Sequence, residues 1–174
     1  MEFEFTLKFT LTTDSPGVDE LVECLGAAGC EDALVGIGQS GRIALDFTRE
    51  AGSAKEAIFS ALADVKRAIP VAKLLEVTPD FVGLTDVAEL VGVSRQNMRK
   101  LALAHKESFP AAVHEGSATL WHLSPVLKWL GEFANYSIKQ SLLDVAHIAM
   151  QINLAKEASQ IERQVQRELL ELVA

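Results

Sequence analysis

From Glu2 to Thr12 apolar and polar residues alternate without a break. Phe3, Phe5, Leu7, Phe9 and Leu11 point one way, and Glu2, Glu4, Thr6, Lys8, Thr10 and Thr12 the other. A period of two predicts a half-buried strand. Asp14-Ser15-Pro16-Gly17 is turn chemistry that also opens a helix. Val18, Leu21, Val22 and Leu25 then recur at helical spacing, with Gly26 or Gly29 placed to end that helix. Ala33 to Ile37 is a short apolar run, and Gly38-Gln39-Ser40-Gly41 follows as a hairpin turn. Ile43, Leu45 and Phe47 alternate with Arg42, Ala44 and Asp46, a further strand. Ser53 and Glu56 make a capping box for a second helix, whose apolar face is Ala57, Ile58, Ala61, Leu62 and Val65. Pro70 stops it, and Val71 to Thr78 returns as a fourth strand.

The order βαββαβ over residues 1–80 predicts a ferredoxin-like sandwich, two helices on one face of a four-stranded antiparallel sheet. That fold serves sensors and plain dimerisation domains alike, so it carries no function by itself. Gly36, Gly38 and Gly41 match the spacing of a dinucleotide fingerprint. The fingerprint needs a helix N-terminus after the glycines to face the pyrophosphate, and here an alternating strand follows, so the glycines read as a hairpin.

Leu84 to Leu101 carries the most specific pattern in the chain. Thr85 is placed to cap a helix with Val87, Ala88, Leu90 and Val91 as its apolar residues. Gly92 and Val93 form a turn, and Ser94 caps a second helix through Leu101. Small Ala88 allows close helix packing, and glycine supplies the left-handed turn conformation. Val87, Val91, Val93, Met98 and Leu101 fill the core between the two helices. The outward positions are Ser94, Arg95, Gln96, Asn97, Arg99 and Lys100: three bases, two amides and no acid. Arginine pairs bidentately with guanine edges and Gln or Asn with adenine, while lysine and a helix N-terminus suit phosphate. The alternative is an αα-hairpin with a solvated polar face.

Phe109-Pro110-Ala111-Ala112-Val113, a turn over His114 to Ala118, and Thr119 to His122 predict a short hairpin, or wing. Ser124 and Pro125 open the next helix as cap and first residue. Taken together, Leu84-Thr85-Asp86-Val87-Ala88-Glu89-Leu90, Gly92-Val93-Ser94, Phe109-Pro110 and the Trp121 strand leading into a helix resemble the winged helix-turn-helix of the MerR and phage-excisionase group. The resemblance covers residues 84–130 and implies sequence-specific binding of double-stranded DNA. The second helix would lie in the major groove and the wing at the backbone or minor groove, which brings in Thr85, His105, His114 and Ser117 with Ser94, Arg95, Gln96, Asn97, Arg99 and Lys100 as DNA-binding residues. The sandwich ahead of the module and Glu115 in the wing depart from the family pattern.

From Phe133 onward no proline or glycine occurs. Val145, Ile148, Ile152, Ala155, Ala158, Ile161, Val165, Leu169 and Leu172 recur three or four residues apart, an amphipathic stripe over residues 131–174, one long helix or a helix pair. So long a lone helix needs a partner. The economical partner is a second copy, since twofold DNA readers engage half-sites ~34 Å apart. Dimerisation is therefore expected through Val145, Ile148, Ile152, Ile161, Val165, Leu169 and Leu172. A helix folded back on its own sandwich, or a tail that holds another protein as antitoxin-like regulators do, are the other two readings.

Composition sharpens this picture in one respect. The 174 residues carry a net charge of −8, which divides into −7 over residues 1–80, +1 over 84–130 and −2 over 131–174. The middle segment is the only part that a phosphate backbone does not repel. No apolar run approaches a membrane span and no secretory signal opens the chain, so a cytoplasmic protein without membrane partners is expected. Cys24 and Cys30 make no disulfide framework. His105, His114, His122 and His147 are scattered without cysteine or acidic partners, so neither metal nor other cofactor is expected. Asp19, Glu20 and Glu23 read as a solvated helix face, no nucleophile motif occurs, and no enzyme is expected. The competing functions are a small-molecule-gated regulator that senses through the sandwich, and an interaction protein that uses DNA binding for autoregulation.

Overall fold

A computed structural model describes residues 1–12, 15, 17–38 and 41–173. Asp14 and Pro16 of the first expected turn, and Gln39 and Ser40 of the hairpin turn, lie outside the described residues. The chain is α+β, with two antiparallel sheets.

The first sheet grows from the alternation read above. β1 (Glu2–Thr10), β2 (Ala33–Gly36), β3 (Arg42–Glu50) and β4 (Lys73–Thr78) lie in the order β2-β3-β1-β4. β1 pairs antiparallel with β3 (Phe5 opposite Phe47, Leu7 opposite Leu45) and with β4 (Leu7 opposite Val77). The odd-numbered residues of β1 and β3 enter the core, and α1 (Val18–Ala27) and α2 (Ala54–Ala68) supply Leu21, Leu25, Ala57, Ile58, Ala61 and Val65 against them. Gly29, at φ +95°, takes the chain out of α1, whereas Gly26 lies inside the helix. Ser53 caps α2, its Oγ accepting from the Glu56 N–H at 3.1 Å. The Glu56 carboxylate reaches one residue further back than a capping box requires, to the Gly52 N–H at 3.0 Å.

Arg49 continues the inward-facing series of β3 as a charge within the apolar layer. All five of its N–H groups have acceptors. Nε and Nη2 grip Asp32 at 2.7 and 2.9 Å, Nη1 reaches Asp64 at 2.8 Å and Ser60 at 3.0 Å, and Nη2 also reaches the Gly29 carbonyl at 3.1 Å. These bonds, led by that to Asp32, hold the guanidinium pKa above its ordinary value. The neighbouring Cys30 thiol is pushed up to about 11, chiefly by burial, so it is a poor nucleophile.

The second sheet has the order β5-β7-β6, from β5 (Phe81–Val82), β6 (His114–Glu115) and β7 (Thr119–His122). α3 (Leu84–Val91), α4 (Arg95–Ala104) and α5 (Leu123–Phe133) pack with it around Val87, Ala88, Met98, Leu123, Val126, Leu127 and Leu130.

Of the two forms expected for the tail, the structure has the helix pair, and its first helix folds back where pairing with a second copy was favoured. α6 (Gln140–Ala158) and α7 (Arg163–Val173) are separate helices, and α6 lies back on its own chain. Val145 is buried in the first core with Ala149, and Ile148 and Ile152 pack against it, so these three of the expected dimerisation residues find their apolar partners within the chain. The reason is a second apolar face. Leu142, Leu143 and Ala146 seat α6 in the other core, against α5, so one helix closes both. Ile161, Val165, Leu169 and Leu172 instead remain exposed around and on α7. No helix among the described residues is long and apolar enough to cross a membrane.

Asp80, fully buried, joins the two parts. Its Oδ1 lies 2.7 Å from His122 Nδ1, its Oδ2 accepts from Asn153 Nδ2 at 2.8 Å, and its carbonyl accepts from the Leu123 N–H at 2.7 Å. The end of the first sheet, the start of α5 and α6 therefore meet at one carboxylate.

Candidate nucleic-acid interface

The candidate site is built on the turn between α3 and α4. α3 starts one residue after Gly83, whose N–H donates to Asp86 Oδ2 at 2.7 Å. Thr85 is consequently the second residue of the helix, half-buried, and not its cap. At the far end Gly92 adopts φ +74°, where a side chain would be strained, and its N–H returns to the Glu89 carbonyl. Ser94 then caps α4 as its sequence predicts, Oγ accepting from the Asn97 N–H at 3.2 Å.

Met98, fully buried, pins α4 to the core, and Leu101 packs beside it. With that face fixed, Arg95, Gln96, Asn97, Arg99 and Lys100 are all exposed. Among the described residues neither arginine nor Lys100 forms an ion pair. The first turn of α4 holds no acid, unlike those of α1, α2 and α3, so the positive end of its dipole is not offset by its own side chains. Asn97 Nδ2 makes a long contact, 3.4 Å, to the Tyr136 hydroxyl beyond α5. Sequence reading did not find Tyr136, because no spacing rule connects it to α4.

An aromatic floor ties α4 to the hairpin. His105 ends α4 with its ring 5.6 Å from Trp129. Phe109 sits edge-on to both Trp121 and Trp129. Trp121 Nε1 donates to the Pro110 carbonyl at 3.0 Å and Trp129 Nε1 to Ser108 Oγ at 3.3 Å. The hairpin itself is shorter and later than predicted: its first strand is His114–Glu115, and residues 109–113 lead into it as irregular chain. His114 and Ser117 are exposed on the hairpin and its turn, as is Glu115. α5 opens at Leu123 after His122, so Ser124, buried, and Pro125 lie inside its first turn instead of starting it.

Away from this surface, a cleft of about 740 Å³ separates the open face of the first sheet from α3 and the start of α6, with Glu4, Thr6, Asp46, Thr48, Leu90 and Lys139 among its walls. Among the described residues no three His, Cys, Asp or Glu side chains gather to hold a metal. The chain matches no family model, no curated protein and no solved structure.

Proposed function

We propose that this protein is a sequence-specific, double-stranded DNA-binding transcriptional regulator of the cytoplasm, acting as a homodimer. The βαββαβ order and the strand order β2-β3-β1-β4 support reading the first part as a ferredoxin-like sandwich. The α3-turn-α4 unit with its following hairpin and α5 supports a winged helix-turn-helix. The observation that carries the function is the outer face of α4. Arg95, Gln96, Arg99 and Lys100 stand exposed on a helix locked by Met98, with Asn97 exposed beside them in long contact with Tyr136, a row of groups suited to base edges and phosphates.

Selection of bound sites from random duplex DNA tests this directly. A recovered motif with two half-sites is expected. At that site Arg95→Ala and Arg99→Ala each weaken binding by about 1–3 kcal/mol and relax base preference. Fluorescence anisotropy at fixed salt reads the loss, and wild-type affinity in both variants would sink the assignment of α4 as the reading helix.

One observation favours a second reading. α7 buries no residue, and Val165, Leu169, Leu170 and Leu172 are exposed along it. Such a stripe suits a partner protein, with DNA binding used for autoregulation.

A further inference from the structure

The rest of the chain treats the two edges of the first sheet differently. An edge strand offers unpaired N–H and C=O groups that template another strand unless they are blocked. At β4 a block is built. Asn153 presents its side-chain amide to Val77 as a strand would, Oδ1 accepting from the N–H at 2.9 Å and Nδ2 donating to the C=O at 2.8 Å. Lys156 Nζ donates to the Leu75 carbonyl at 2.5 Å. At β2 no side chain or loop among the described residues does the same. The Thr48 N–H donates to the Asp32 carbonyl at 3.1 Å, and Asp32 lies one step before the Ala33–Phe47 pair. By antiparallel alternation Leu34 and Gly36 then bond to β3, and the N–H and C=O of Val35 face outward. From Ala33 to Gly38 there is no charge and no proline. Leu34 is 73% exposed.

We propose that β2 pairs with β2 of a second copy, antiparallel about a twofold axis at Val35, so that two four-stranded sheets become one. The strand is self-complementary in that register. Val35 meets its own counterpart and exchanges two hydrogen bonds with it. Leu34 lies opposite the partner's Gly36, where the absent side chain leaves room for the leucine, and the same contact recurs across the axis. The uncharged edge also lets two strongly acidic units approach without opposing like charges. The pairing rests on the proposed DNA reading in one respect: it supplies the dimer that reading needs, in place of the part of the tail stripe that α6 buries.

Sedimentation of the full chain tests it, with Leu34→Lys, Val35→Pro and Leu169→Glu as variants. Lysine and proline are the residues that blunt natural edges, and Leu34 is too exposed for its replacement to unfold the chain. Wild type and Leu169→Glu are expected at twice the 18.9 kDa chain mass. Leu34→Lys and Val35→Pro should fall to the single-chain mass, with dimer affinity at least about tenfold lower and circular dichroism unchanged. A monomeric wild type, or a Leu34→Lys variant that stays dimeric, overturns the proposal. Selection of DNA sites separates the two claims. A wild-type dimer that Leu34→Lys dissociates, with no preferred site, leaves the edge pairing standing and removes the DNA reading. A preferred site with two half-sites, bound by a wild-type dimer that Leu34→Lys does not dissociate, does the reverse.

Discussion

Replacing Arg49 with alanine is expected to lower the unfolding free energy by about 3–5 kcal/mol, measured by urea denaturation. The guanidinium side chain is 10% exposed and uses all five donors, so its removal leaves the Asp32 carboxylate without a counter-charge and Asp64 with only the exposed Arg67, 3.3 Å from its Oδ1. Those carboxylates keep some contact with water, at 30% and 17% side-chain exposure, which places the loss toward the lower end. Arg49→Lys should recover only part of it. An ammonium keeps the charge but has no planar fork to grip Asp32 with two parallel bonds while also reaching Asp64, Ser60 and the Gly29 carbonyl. A lysine variant as stable as wild type would show that charge alone matters, and that the fixed geometry does not.

Asp80→Ala should cost about 2–4 kcal/mol, because the buried Asn153 Nδ2 loses an acceptor, the part-buried His122 Nδ1 loses its hydrogen-bond partner, and each unsatisfied group costs about 1–3 kcal/mol. Asn153 retains Val77, so its share is the smaller. A double-mutant cycle with Asn153→Ala provides the sharper measurement. If the carboxylate and the amide act as one latch, the double variant should be less destabilised than the two single losses added together, with coupling of about 0.5–3 kcal/mol. Additive losses would mean that the two side chains stabilise their own neighbourhoods independently.

The first sheet and its helices were legible because each element buries one face, and a half-buried strand or helix writes its period into the sequence. Gly92 and Ser94 were legible for a different reason: a left-handed residue and a helix cap each need particular side-chain chemistry. Thr85 misled because Gly83 and Asp86 satisfy the same helix end without it. Arg49 was missed since its partners lie 15 and 17 residues away in sequence, a distance no local pattern spans. Asn153 was hidden in the same way, 76 residues from the strand whose edge it closes. The tail shows what periodicity leaves out. Val145, Ile148 and Ile152 announce a surface that must be covered, and the identical spacing serves whether the cover is a second copy or the chain itself. The exposed row on α4 was legible residue by residue, whereas the aromatic cluster that fixes its distance from the hairpin depends on tertiary contacts between Phe109, Trp121 and Trp129.

Because α6 completes both cores, the protein does not come apart into pieces that stand alone. A chain cut after Leu130 would strip Val145 and Ala149 from the sandwich and Ala146 from the helical part, and would reopen the β4 edge that Asn153 and Lys156 close. Such a fragment is expected to aggregate, and the full chain to melt in a single calorimetric transition, not two. A helical module transplanted from this chain without α6 would therefore leave two interiors open, its own and that of the sandwich it left.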